Sequence, residues 1–339
     1  MTSKQAIERY ETSSGVQIFR LPLEVFVGYF AYAHLIVQDG RLTLVDVGSG
    51  LGKSHQDLLD GLQTVRVQHG IDARPERIER IIITHGHVDH FGGLSAVKML
   101  VPQAEVAVHE LTRPVLVNYD ERVLVSRTAM ADFLARAGVP EDRRMQLIEL
   151  YMFGKRALLP VRVDRTLHDG DRLDGLLRVI HVPGHTPGQI MLQVDDVLLT
   201  ADHILPATSV ALAPESITAY TGVGHYLESL AKAERVRGVR VALGGHEWAM
   251  EDYYAVVRRT REQALEKIER VYDQCDEPRT VYEIATRLYD SMDGYSELLK
   301  IEQTGARIEY LHQRGLVMID NLEALEAEHN PPLRYRQVP

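Results

Sequence analysis

Thr84-His85-Gly86-His87-Val88-Asp89-His90 decides the reading of this chain: three imidazoles and a carboxylate stand within six residues. The run follows Arg80-Ile81-Ile82-Ile83, a short apolar stretch that reads as a buried strand. Imidazole nitrogen and carboxylate oxygen are the donors that zinc and its first-row neighbours prefer. A histidine cluster ejected from a strand end into a loop has no packing purpose, so it reads as a metal loop. Three later positions extend the set. His185 lies in Pro183-Gly184-His185-Thr186-Pro187-Gly188, Asp202 in Leu198-Leu199-Thr200-Ala201-Asp202-His203, and His246 in Leu243-Gly244-Gly245-His246-Glu247. Each follows or interrupts a β-like apolar run (176–182, 197–200 and 239–243). Four strand ends are therefore expected to deliver donors to one place.

Composition bounds the class. The chain has 339 residues, 45% hydrophobic and 25% charged, which suits a globular protein with room for two domains. No apolar run approaches the ~20 residues that span a bilayer. The N-terminal residues 1–10 lack the apolar region of a secretory signal. The single cysteine, Cys275, rules out an internal disulfide and fits a reducing compartment. A cytoplasmic location is expected, with no membrane partner. The net charge of −10 argues against a nucleic-acid binder, which usually shows a basic face.

The pattern along the chain predicts strands over 16–21, 33–37 and 42–46, with Gln38-Asp39-Gly40-Arg41 as a hairpin turn. A helix is expected over 52–69, a strand over 79–84, a helix from Gly92-Gly93 to Leu100, and a strand over 105–109. Residues 111–159 form a long insertion with helical spacing over 123–137 and 141–153, broken at Gly138-Val139-Pro140. It is expected to be a lid that shapes the pocket, because structured insertions often border active sites. After residue 250 the pattern becomes helical over 251–274, 280–289 and 296–315, followed by a strand over 316–320.

The order of donors resembles the metallo-β-lactamase superfamily over roughly residues 15–250: an HxHxDH motif, a lone His after a Pro-Gly turn, an Asp, then a last His. The resemblance implies an α/β fold, an αββα sandwich with the metals at one edge of two sheets. Residues 251–339 are similar in layout to the winged-helix extension of lactamase-B-like hydrolases. The expected organisation is therefore a hydrolase domain over 1–250 and a linking helix with a winged-helix-like domain over 251–339. By resemblance, His85, His87 and His185 hold one divalent metal, Asp89, His90 and His246 hold a second, and Asp202 bridges them. Asp89 would also orient a metal-bridging hydroxide that attacks the substrate. Asp46, in Asp46-Val47-Gly48, matches the family's Asp-x-Gly and is expected to support the metal loop. Zinc is the expected ion, with iron and manganese also suited to these donors. His87, where flavodiiron relatives carry an acid, favours hydrolysis over oxygen reduction.

The remaining histidines read as structural. His109 ends a strand, His181 supports the loop before Pro183, His203 adjoins Asp202, and His225 starts a helix. Trp248 is expected to be buried between the domains. Residues 251–339 hold 12 Lys and Arg against 18 Asp and Glu, a net of −6. Phosphate contacts dominate nucleic-acid affinity, so this segment is expected to pack or dimerise, with Ile301, Ile308, Leu311 and Leu316 as a buried stripe. The substrate is expected to be a small acyl molecule, a thioester or ester. RNA cleavage and lactone hydrolysis remain alternatives, although the Tyr that lactonases carry after the bridging Asp is absent from His203-Ile204-Leu205-Pro206.

Overall fold

The computed structural model describes residues 6–153 and 158–339. The expectations for the first residues of the chain and for part of the 111–159 insertion fall outside the described residues. One sheet carries seven strands in sequence order: β1 (Glu8–Glu11), β2 (Gln17–Phe26), β3 (Tyr29–Gln38), β4 (Arg41–Val45), β5 (Ile78–Ile83), β6 (Glu105–His109) and β7 (Arg165–Leu167). Pairing is antiparallel from β1 to β4 and parallel from β4 to β7. The second sheet is built from β8 (Arg172–Leu173), β9 (Leu177–His181), β10 (Ile190–Val194), β11 (Val197–Ala201) and β12 (Val241–Gly244), in the order β12-β11-β10-β9-β8.

The sheets face each other because their strands alternate. In β5, Ile82 points between the sheets with Val45, Val179, Ile190 and Leu199. Its neighbours Ile81 and Ile83 point outward, onto Leu58, Leu62, Leu94 and Val97. Those residues belong to α1 (Ser54–His69) and to α3 (Leu94–Leu100), which follows the short α2 (Val88–Phe91). A parallel strand buried on both faces reads as a continuous apolar run, which is why Ile81-Ile82-Ile83 carries no polar residue. Truncating Ile82 to Ala costs about 3 kcal/mol. The Asp39-Gly40 turn between β3 and β4 has φ of 50° and 78°, the left-handed pair a two-residue hairpin requires.

The outer face of the second sheet (Ile180, Met191, Leu198, Ala242) is covered by helices from three parts of the chain. The first insertion helix, α4 (Arg113–Val117), packs Leu116 into the outer core of the first sheet, while the helices on this face are α5 (Tyr119–Arg136) and α6 (Glu141–Phe153), then α7 (Val223–Ala233), then α8 (Tyr253–Tyr272), α9 (Val281–Leu288) and α10 (Gly294–Gln313). Met130, Phe133 and Leu147 of the insertion share one apolar core with Val257, Ile284, Leu298, Ile301, Ile308 and Leu311. Arg143 of α6 also pairs at 2.5 Å with Glu297 of α10, whose side chain is buried. Thr280 and Glu283 form a capping box that starts α9. After α10, β13 (Val317–Ile319) pairs antiparallel with β14 (Tyr335–Gln337) around α11 (Leu322–Ala327).

Two placements differ from expectation. Leu316 is half exposed, because Gly315 (φ 67°) turns the chain out of α10 just before it. Trp248 is 59% exposed, since its loop runs along the rim of the second sheet. Among the described residues, no helix is long and apolar enough to cross a membrane.

Candidate metal centre

All seven donors converge at the sheet edge. His85, His87, Asp89 and His90 occupy the loop and first turn after β5, His185 follows β9, Asp202 follows β11, and His246 follows β12. The donor atoms of His85, His87, His185 and Asp202 lie within 4.8 Å of one another, as do those of Asp89, His90 and His246. Asp202 stands between the groups. Its Oδ2 is 3.8 Å from the Nε2 atoms of His85 and His185 and 3.3 Å from that of His246, and its Oδ1 is 3.4 Å from His90 Nε2. Asp89 Oδ2 is 3.4 Å from His246 Nε2.

Four of the five imidazoles are aimed from behind. Asp46 Oδ2 accepts from His90 Nδ1 at 2.9 Å, while its Oδ1 accepts the Thr84 amide at 2.8 Å and its Oδ2 the Thr84 hydroxyl at 2.7 Å. Thr84 Oγ1 lies 3.0 Å from His85 Nδ1. The carbonyl of Ala211 holds His185 Nδ1 at 2.8 Å, and that of Phe30 holds His246 Nδ1 at 2.7 Å. Fixing Nδ1 turns Nε2 toward the centre. Asp46 thus occupies the supporting place expected of it, with φ of 59°. Gly245 is required sterically, because a Cβ there would collide with Asp202 Oδ1 and His90 Cε1.

The electrostatics favour bound cations. Burial holds His85 and His185 below the usual imidazole range and His87 at about 3, so all three remain neutral donors. Burial would raise Asp202 and Asp89, but His90, helped by His246, outweighs it; Asp89 falls to about 2 and Asp202 well below its usual value. Burial would likewise lower His246, yet Asp202 and Asp89 push it up to about 10, and His90 rises for the same reason. Two ionised, buried carboxylates thus demand positive charge at one point. Among the described residues, His85 Nε2, His185 Nε2 and Asp202 Oδ1 are buried with no hydrogen-bond partner, which is costly for a polar atom unless something binds it. The 3.3–3.4 Å spacings around His246 and His90 match the edge of a tetrahedron with ~2.1 Å bonds. The site is that of divalent metal ions.

The surroundings include residues that sequence reasoning missed. Tyr29, at the tip of the β2–β3 hairpin, sets its ring 4.8 Å from that of His246. It lines a cleft of about 270 Å³ with Tyr32, Leu205, Thr208, His246 and Glu247. Burial and then the charges of Asp202, Asp89 and Glu247 raise the Tyr29 phenol, which stays protonated. On another side, Asp89 is among the charges that hold the Tyr295 hydroxyl of α10 up at about 12, after burial, Glu302 and Tyr151. Val115 of α4 lies against Gly86 of the metal loop. Aromatic residues in strands and helices give no chemical signal in sequence, which is why these were not singled out.

The other histidines take supporting places. His109 stacks on His181 at 3.8 Å, and His181 Nε2 donates to the Pro187 carbonyl at 2.8 Å, bracing the His185 turn. His203 is fully buried against Tyr226, and His225, in the first turn of α7, reaches Glu215 at 3.0 Å.

The comparisons with known proteins agree with this geometry. The sequence model of the Metallo-beta-lactamase superfamily matches residues 27–254. The chain belongs to that superfamily, and with its His/Asp centre it is a metal-dependent hydrolase. Among solved structures it is similar to a metallo-beta-lactamase family protein from Thermus thermophilus (TM-score 0.75, 23% identity, 95% of this chain and 98% of that one). It is also similar to a beta-lactamase domain protein from Burkholderia ambifaria (TM-score 0.72, 20% identity, 98% and 95%). A metallo-beta-lactamase from Cronobacter sakazakii is matched over 98% of its length but only 78% of this chain (TM-score 0.52, 18% identity). These likenesses concern the fold. No curated protein matches the chain.

Proposed function

We propose that the protein is a dinuclear hydrolase of small thioesters or esters. His85, His87 and His185 would hold one ion and Asp89, His90 and His246 the other, with Asp202 shared; zinc suits this nitrogen-rich, four-donor set. Bound there, the ions supply an acidified water and an electrophile for the substrate's carbonyl oxygen. The chain's own residues do the rest. Asp89 is held ionised, so it accepts a hydrogen bond from the attacking water and aims it. Tyr29 presents a protonated hydroxyl in the cleft beside His246. We read the insertion as a lid that borders the centre, a reading supported by Val115 of α4 lying against Gly86 of the metal loop.

The observation that carries the reading is the set of buried, unpartnered donor atoms around Asp202. An acyl substrate is favoured by the cleft of about 270 Å³ and its tyrosine wall. We read residues 251–339 as a winged-helix-like unit that docks on the hydrolase core. Its net charge of −6 disfavours RNA as substrate. The test is a panel of acyl thioesters of graded chain length, aryl esters, lactones, β-lactams and single-stranded RNA, assayed with zinc. Thioester or ester turnover above all others supports the reading. Cleavage of RNA at physiological salt, with no esterase or thioesterase activity, overturns it.

A further inference from the structure

His185 is placed by a segment that has no regular structure of its own. Of the imidazoles held at Nδ1, three are held from the first sheet: His246 by Phe30 in β3, His90 by Asp46 just after β4, and His85 by Thr84 just after β5. His185 instead donates to the Ala211 carbonyl at 2.8 Å. Ala211 lies in the stretch 202–222 between β11 and α7, where no helix or strand forms. Irregular connections longer than about 12–15 residues are uncommon unless they serve function. The same stretch grips the turn before His185, where the Gly222 amide donates to the Gly184 carbonyl at 2.9 Å. Gly184 has φ of 131° and no room for a Cβ, which would collide with Tyr226 of α7.

A stretch without ladder partners takes its shape from what it packs on, and here that is the C-terminal helices. Leu212 and Ile217 enter one apolar core with Leu298, Ile301 and Ile308 of α10. Pro214 meets α10 at a glycine: a Cβ on Gly305 would stand 3.2 Å from the Pro214 ring. One helical turn further along α10, Glu309 clasps Ser216. The Ser216 hydroxyl donates to Glu309 Oε1, and its amide donates to Oε2 at 3.4 Å. Both bonds end on one carboxylate, so they fix the direction of the loop as well as its place. Beside them, Gln313 of α10 donates to Glu215 Oε2 at 3.4 Å, and His225 pairs with Glu215 Oε1 at 3.0 Å. On the other side of Ala211, Arg259 of α8 donates to the Pro206 carbonyl. Ala211 therefore lies between two clamps, one to α8 and one to α10.

We propose that Glu309, acting through Ser216, is a positioning residue for the metal ligand His185. The clamp fixes the Ala211 carbonyl, the carbonyl fixes His185 Nδ1, and Nε2 is thereby turned toward Asp202. None of the seven donors lies in the C-terminal helices, yet the direction of one donor depends on them. His85, His90 and His246 are aimed from the first sheet, so loss of the clamp acts on one metal position and spares the other. The proposal rests on the two-ion centre assigned above.

Zinc titration of the full chain against a competing chelator, with cobalt(II) absorption as a second readout, tests this. Ser216→Ala and Glu309→Ala should each weaken one equivalent about tenfold, the low end of what outer-shell partners contribute to metal affinity. That equivalent should be the one that His185→Ala removes, and its cobalt absorption should change while the other's stays. Ser216 is exposed, so its truncation leaves the core intact. Glu309→Gln should restore most of the affinity, because its amide oxygen still accepts the Ser216 hydroxyl. In a His185→Ala background, Ser216→Ala should have no further effect on the remaining equivalent. A lower Tm with both equivalents bound as in the parent overturns the proposal and leaves the clamp a structural tie. So does equal weakening of both equivalents, or a metal content that His185→Ala leaves unchanged. Fewer than two equivalents in the parent contradicts the two-ion reading instead, and the clamp is then read on the equivalent that His185→Ala removes.

Discussion

The guanidinium of Arg20 donates to the carbonyl oxygen of Glu247 at 2.9 Å, immediately behind the His246 imidazole. The same Nη2 faces the carbonyls of Gly244 and His246 at 3.2 and 3.3 Å, and the Tyr32 amide donates to the carbonyl of Gly245 at 2.8 Å. Four successive carbonyls are thus turned toward β2 and β3, and Glu247 is held at φ of 63°. The guanidinium lies 3.4 Å over the Tyr32 ring, with Glu8 at 3.2 Å as its counter-ion. The first sheet therefore sets the angle at which the second sheet presents His246.

Arg20→Met is expected to lower stability by about 3 kcal/mol, because it strips donors from buried carbonyls. It should also weaken one metal position more than the other. Zinc titration against a competing chelator reads this out. Arg20→Lys should recover part of the affinity, since an ammonium still reaches a carbonyl. Two equivalents bound with unchanged affinity in Arg20→Met would show that the loop holds itself.

Asp202→Ala and His185→Ala should differ in kind. The shared carboxylate touches both donor groups, so its loss should reduce occupancy at both positions. Loss of His185 should leave about one equivalent. Elemental analysis of dialysed protein distinguishes them, and full double occupancy in Asp202→Ala would remove the bridging role.

The His109–His181 stack predicts an acid-sensitive step. Burial, then His181, holds His109 down at about 3, and burial also lowers His181. The unfolded chain binds these protons below about pH 6.5 while the folded chain does not. Stability should therefore be full above about pH 6.5 and fall as pH drops toward about 3, by up to about 1.4 kcal/mol per pH unit from His109, with His181 adding in the same direction. Urea unfolding of His109→Phe should show a shallower decline across that window. A slope equal to that of the parent would remove His109 as a cause.

Tyr151→Ala and Tyr295→Ala probe the lid without dismantling the core shared by α5, α6 and α10. Each is expected to change KM and chain-length preference several-fold while both metals stay bound. Identical kinetics across the acyl series would make the insertion a structural cover alone.

Much of this was legible in sequence because donors and turns use a small vocabulary. The β5 run and its metal loop, the Asp39-Gly40 hairpin and the helix break at Gly138 were found where spacing put them. All seven donors meet because each follows an apolar strand that must be buried. What was not legible depends on tertiary contact. The short strands β1, β7, β8 and β14 carry no run long enough to stand out, and they exist because a longer neighbour offers an edge. Arg20 sits inside the apolar stretch of β2, where sequence alone cannot say whether it is buried or at the surface. Trp248 and Leu316 were expected inside on hydrophobicity, but loop path placed them outside. Tyr29 reaches the centre only because the tip of the β2–β3 hairpin folds onto His246.

Hydrolysis is expected to depend on two metal ions held by these seven residues. This dependence is tested most directly by stripping the full chain with a chelator and titrating zinc back while following both bound metal and thioester or ester cleavage. The expected result is no activity in the stripped protein, saturation at two equivalents per chain, and full activity only as the second is filled. Saturation at one equivalent with full activity, or undiminished cleavage by the stripped protein, would contradict it.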